Sequence, residues 1–276
     1  MPYLLLAIFS SSAIAILMRL SSGKIQNNVA MLAMNYLMCT LLSIGFSGQD
    51  SMFPTGSTLT LLMGTAQGLL YLVSFLLLNI STARNGVVLS SVFMKLGLLV
   101  PMVLSIFLFG ELPSALQLIG FVMALTAIFL INFEPGQKQI RMNWLLLLLL
   151  LGGGSGDAMA KIFETWGDPS LASHFLLYTF LTALILCLAL MKYKQQRIGR
   201  AELLFGLAIG IPNFFSAKFL LAALNSLPAV IVYPTYSVST MLAVTLAGAL
   251  FFREKLNRNQ WLALVIILLA LVFLNI

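Results

Sequence analysis

Apolar runs of about 20 residues, separated by short polar stretches, follow one another along the whole chain, and few polar residues interrupt them. A helix rising about 1.5 Å per residue needs roughly 20 such residues to cross about 30 Å of hydrocarbon. Ten stretches qualify: residues 2–20, 28–47, 57–80, 86–109, 113–132, 143–164, 170–191, 201–224, 228–251 and 258–276, numbered here as spans 1 to 10. None shows the alternation of a lipid-facing strand, so helices are expected and a barrel is not. The connections are short, the longest being 133–142 and 192–200. They leave no room for a soluble catalytic or nucleotide-binding domain, and no Gly-x-x-x-x-Gly-Lys-Ser/Thr loop occurs.

The pattern repeats. Leu108-Phe109-Gly110-Glu111 precedes an apolar run ending at Asn132, and Phe251-Phe252-Arg253-Glu254 precedes one ending at Asn275; both marks shift by 143 residues (111 to 254, 132 to 275). Arg19 and Lys161 fall at equivalent places in spans 1 and 6. Each repeat holds five spans, an odd number, so the second copy enters the membrane upside down relative to the first. The expected fold is therefore all-α and polytopic, with ten transmembrane helices as two inverted five-helix repeats, 1–137 and 138–276.

Composition agrees. Of 276 residues 61% are apolar and 8% charged, with a mean hydropathy of +1.04. The net charge of +7 does not imply nucleic acid, because the bases lie at span boundaries. Loops 1-2, 3-4, 5-6, 7-8 and 9-10 hold Arg19, Lys24, Arg84, Lys138, Arg141, Lys192, Lys194, Arg197, Arg200, Arg253, Lys255 and Arg258. The other loops hold Asp50, Glu111, Glu164 and Asp168, without a lysine or arginine. The positive-inside rule then places both termini outside a cytoplasmic (inner) membrane. Span 1 lacks the basic leader and cleavage pattern of a signal peptide and is expected to be retained. Cys39 and Cys187 lie inside spans and read as small packing residues.

With Gly110-Glu111 at a span boundary, Gly120 in the span that follows, and the two five-span copies, the chain resembles the drug/metabolite transporter superfamily, of the ten-span EamA type. The second copy departs from the pattern, with Arg253 in place of the glycine and Ala263 in place of Gly120. The resemblance implies a central cavity lined by spans 3, 4, 8 and 9, and a usual orientation with both termini in the cytoplasm. The charges here favour the reverse.

Charges inside hydrocarbon are costly and need an explanation. Lys95 falls near the middle of span 4 and Lys218 in span 8, with no acid within a helical turn of either. Asp157 has Lys161 four residues on and is expected to pair with it. Unpaired cations in a cavity favour an anionic or zwitterionic ligand; snorkelling or structural pairing is the alternative for both lysines. Gln67, Tyr71, Asn213, Tyr36, Tyr233 and Tyr236 extend the polar set at membrane depth and are candidate substrate contacts, interhelical hydrogen bonding being the alternative for each.

Within span 6, Gly152-Gly153-Gly154-Ser155-Gly156 interrupts a leucine run. Small residues permit close helix approach, so Gly152, Gly153, Gly154 and Gly156 mark a hinge or a tight crossing. Pro101, Pro212 and Pro234 are candidate kinks in spans 4, 8 and 9. Asp157, Lys161 and His174 are candidate coupling or ion-pair groups. No cofactor or metal site is expected, and the fourteen methionines read as packing.

The expected function is secondary active transport or exchange of a small polar metabolite by alternating access, with no enzymatic activity. Expected partners are the bilayer, the small molecule and protons or a counter-substrate, in a monomer or weak homodimer. An intramembrane serine protease using Ser155 is one alternative, since Gly153-Gly154-Ser155-Gly156 fits a Gly-x-Ser-Gly pattern. A channel or receptor is the other.

Overall fold

Backbone groups in hydrocarbon can bond only within the span, so long apolar runs must be helical. The computed structural model describes residues 1–47, 54, 57–132, 144–251 and 257–276. Every expected span among them is helical: α1 (Pro2–Ser21), α2 (Asn28–Phe46), α3 (Thr58–Asn85), α4 (Val87–Lys95), α5 (Leu99–Phe109), α6 (Ala115–Asn132), α7 (Trp144–Trp166), α8 (Ala172–Tyr193), α9 (Arg200–Leu224), α10 (Ala229–Phe251) and α11 (Arg258–Leu274). Together α4, a 3₁₀ turn at Leu96–Leu98 and α5 make span 4. Eight spans are long and apolar enough to cross a membrane, and α6 and α11 supply two shorter apolar helices. The chain is thus an all-α polytopic membrane protein. The second glutamate boundary, Glu254, lies outside the described residues with Asp50, Lys138, Arg141, Arg253 and Lys255.

Two compact units make up the chain, Met1–Leu72 with Met159–Asn225, and Val73–Ala158 with Ser226–Ile276. Each draws on both sequence halves. Helices α3 and α7 run unbroken across the points where the chain passes from one unit to the other.

In the first unit, α1 and α2 pack on α9, and α2 packs on α8. Two glycine pairs set the closest approaches. A Cβ on Gly64 or Gly68 of α3 would stand 2.7 Å from Tyr178 Cβ or 2.5 Å from the Thr179 carbonyl of α8, and one on Gly206 or Gly210 of α9 would stand 2.5 Å from Met34 Cβ or Met38 Cβ of α2. Both pairs are Gly-x-x-x-Gly, the small-residue spacing that lets membrane helices touch backbone to backbone. They lie 142 residues apart (64 to 206, 68 to 210). The repeat is therefore written in the packing as well as in the glutamate boundaries.

The second unit has its core where α10 and α11 meet α5 and α6, around Phe121, Ala127, Ile128, Val238, Met241, Ile267 and Leu274. Phe93, Leu146 and Leu149 form a smaller cluster where α4 meets α7. Lipid-facing surface is apolar, as Phe107 and Leu112, each 80% exposed, illustrate.

Candidate functional site

Proline cannot donate a backbone hydrogen bond, and its ring crowds the carbonyl four residues back. Pro101 does this to Gly97, and the helix tightens into the 3₁₀ turn Leu96–Leu98 instead of continuing. The break falls immediately after Lys95, the last residue of α4. Of the three candidate kinks, this one interrupts the helix, while α9 and α10 continue through Pro212 and Pro234.

The buried backbone of this turn is met by the glycine run of α7. A Cβ on Gly97 would come within 2.8 Å of the Gly154 nitrogen, one on Gly154 would strike the Gly97 carbonyl, and one on Gly153 would lie 2.8 Å from Met94 Sδ. Gly152 faces Leu77, and its carbonyl accepts the Ser74 hydroxyl at 2.6 Å. Helix α7 is unbroken through Gly152–Gly156, and Gly152, Gly153 and Gly154 form a tight helix crossing. The Ser155 hydroxyl donates to its own helix, to the Leu151 carbonyl at 2.5 Å.

At this crossing Lys95 keeps an exposed side chain although Val92, Phe93, Leu96 and Leu98 around it are buried. Asp157, half-buried, interacts electrostatically with it. The expected pairing of Asp157 with Lys161 is not what the structure holds. Lys161 turns toward the helix end, where its ammonium meets Glu164 at 2.6 Å, one turn nearer the membrane boundary that a long cationic stem reaches most easily. Tyr233 of α10 is buried, and its hydroxyl donates to the Asp157 carbonyl at 2.6 Å, tying α10 to α7. Tyr236 is half-buried one turn further, and beyond it Thr240 is buried with no hydrogen-bond partner for its hydroxyl among the described residues.

The neutral candidates of the first unit satisfy one another. Asn213 Nδ2 donates to Asn35 Oδ1 at 3.1 Å, bridging α9 and α2. Gln67 Nε2 donates to Tyr71 Oη at 3.1 Å, and the Thr179 hydroxyl shares its hydrogen between Gln67 Oε1 at 3.2 Å and the Phe175 carbonyl at 2.8 Å, bridging α3 and α8. These two amide bridges join the same helix pairs as the two Gly-x-x-x-Gly crossings. The glycines beside Gln67 and Asn213 carry the same four-residue spacing in both halves of the sequence, a signal the polar residues alone do not give. The Tyr36 and Tyr71 rings stack with centroids 6.4 Å apart.

Lys218 sits over the Phe46 ring, its ammonium 3.4 Å from the centroid, with Phe214 at 5.9 Å. A cation held on aromatic faces is compensated without an acid. His174 is buried in α8, 6.3 Å from the Tyr178 ring. Among the described residues, no group of three or more His, Cys, Asp or Glu is placed to hold a metal ion.

Apolar helices in this number define a polytopic membrane protein. Residues 141–276 match the EamA-like transporter family. That match over the second half of the chain is what the resemblance to the drug/metabolite transporter superfamily leads one to expect. The matched family is one of membrane transporters of small molecules. A protein of Haemophilus influenzae described as uncharacterized is 24% identical over 282 residues, covering 98% of this chain and 96% of its own length. A solved crystal structure 13% identical to the chain matches its fold with a TM-score of 0.74, over 100% of this chain and 98% of the other.

Proposed function

We propose that this protein is a secondary active transporter or exchanger of a small polar metabolite bearing an anionic group, anionic or zwitterionic overall, working by alternating access between its inverted repeats. The observation that carries this reading is Lys95. A cation in mid-span costs about 3 kcal/mol to insert, yet here it stays accessible at a helix break and no acid neutralises it by contact. Substrate contact accounts for that cost. Tyr233 and Tyr236 belong to the same region of the second unit and are the neutral groups assigned to the substrate path there. Protons or a counter-substrate drive the cycle, and the positive loops set both termini outside the cytoplasmic membrane.

The test is flux in liposomes holding the purified protein. Saturable, ligand-specific uptake or counterflow is expected, reduced at least about tenfold by Lys95→Ala, the loss for a charge-assisted contact of 1.5 kcal/mol or more. A broad metabolite screen with no binding and no flux would overturn the reading. Reporter fusions at both termini test the orientation, and a cytoplasmic signal from the C-terminal fusion would reverse it.

A further inference from the structure

Lys95 and Asp157 are opposite charges that share one helix crossing without touching. Lys95 follows Met94, the residue packed on Gly153, and Asp157 stands four residues beyond Gly153, on the same face of α7 and one turn along. Each lies in the field of the other. Neither side chain has a hydrogen bond, and no ion pair within 4.0 Å joins them to each other or to another group among the described residues. Lys161, four residues from Asp157, is already engaged by Glu164.

A purely structural pair should close. Attraction between unit charges strengthens as water is removed, and the four-carbon stem of lysine reaches in many directions. Here both groups stay accessible, Lys95 exposed and Asp157 half-buried, while the Tyr233 hydroxyl fixes the Asp157 backbone. The arrangement leaves an acceptor site at one end and a donor site at the other. A simple anion drawn to Lys95 would enter the field of Asp157, and a simple cation drawn to Asp157 would meet Lys95. Only a molecule carrying both charges satisfies the two ends together.

We infer that the molecule carried is dipolar, with one anionic and one cationic group and no net charge, its anion against Lys95 and its cation against Asp157. The inference rests on the transport reading above and narrows it. Its consequence is electrical: the site totals zero charge both empty and loaded, so the loaded carrier moves no net charge across the membrane.

Three classes of labelled probe decide it in liposomes holding the wild-type protein: amino acids with uncharged side chains, with betaine, carnitine and taurine, as dipolar ions; the matching acids without the cationic group; and the matching amines without the anionic group. Flux or counterflow is expected from the dipolar class, at least about 100-fold above either monoion, because a monoion leaves one of the two charges in the site unmatched. In counterflow of one dipolar ion against another, where no proton need cross, the rate is expected to be equal under inside-positive and inside-negative potentials. Asp157→Asn shifts the preference toward monoanions and Lys95→Gln toward monocations. Wild-type selectivity decides the matter alone if a variant does not fold. Saturable wild-type flux of a monoanion with the dipolar class excluded overturns the dipolar inference and leaves the transport reading standing. Neither binding nor flux from any class overturns both.

Discussion

The Glu111 carboxylate accepts the backbone N–H of Ala229 at 2.7 Å, and that of Val230 at 3.3 Å. A residue just past the end of α5 thereby caps the first turn of α10, more than a hundred positions on in the chain. The anion faces the positive end of that helix, where the first N–H groups have no intrahelical acceptor. Gly110 makes the turn possible, since it adopts φ +68° at the end of α5. Replacing Glu111 by Ala should cost about 1 kcal/mol, and Glu111→Gln less, because an amide oxygen still accepts. Thermal unfolding of the purified protein in detergent is expected to rank wild type above Glu111→Gln above Glu111→Ala; equal midpoints would show that the cap contributes nothing.

Glycine substitutions should separate by place. Gly154→Ala drives a methyl into the Gly97 carbonyl and to 2.7 Å from Val100 Cβ, an overpacking expected to cost about 1–3 kcal/mol. Gly45, in α2, has nothing within 4 Å of the same methyl, so Gly45→Ala should be neutral or stabilising by up to about 1 kcal/mol. Unfolding midpoints of the two variants are expected to move in opposite directions, and matching losses would remove the crossing as the explanation.

Lys218 gives a test of aromatic compensation. Phe46→Leu keeps apolar bulk but removes the ring beneath the ammonium, and a loss of about 1 kcal/mol is expected. In the Lys218→Met background the same change at Phe46 should cost little. A double-mutant cycle with no coupling would mean that the ring and the cation are neighbours without interaction.

Asp168, fully exposed ahead of α8, has its carboxyl held below the usual range by the Ser170 hydroxyl at 2.7 Å and then by the Ser170 N–H at 2.9 Å. Both bonds favour the charged form, so the folded value lies under the unfolded one of about 3.9. The contribution is present above that unfolded value and is lost as pH falls through the folded one. Carboxyl NMR titration should show Asp168 moving upward in Ser170→Ala; an unchanged value would refute the role of the hydroxyl.

Helix positions were readable because hydrocarbon leaves a span no alternative to helix, and a run such as 201–224 has little other meaning. The glutamate boundary and the polar residues of spans 3 and 8 were also readable, since both involve residue type at fixed spacing. What the sequence did not disclose depends on neighbours distant in the chain. Lys161 has an acid at i−4 and another at i+3, and only the helix end decides for Glu164. Lys95 and Asp157 are brought together by Gly97 and Gly154, a contact no local pattern announces. The division into two units escaped as well, because α3 and α7 carry each half of the sequence into both.

The interruption of span 4 also changes what it costs to keep Lys95 charged. A helix end concentrates partial negative charge on its last carbonyls, worth about half an elementary charge, and α4 ends at this lysine. The ammonium therefore lies where the α-helix tightens into the 3₁₀ turn, and the carbonyls there ease its cost in part while leaving a partner still needed. Pro101→Ala, by letting Gly97 accept its missing bond, would join the two short rods into one. The dipoles would then cancel end to end, and the cation would be left in mid-membrane without its backbone compensation.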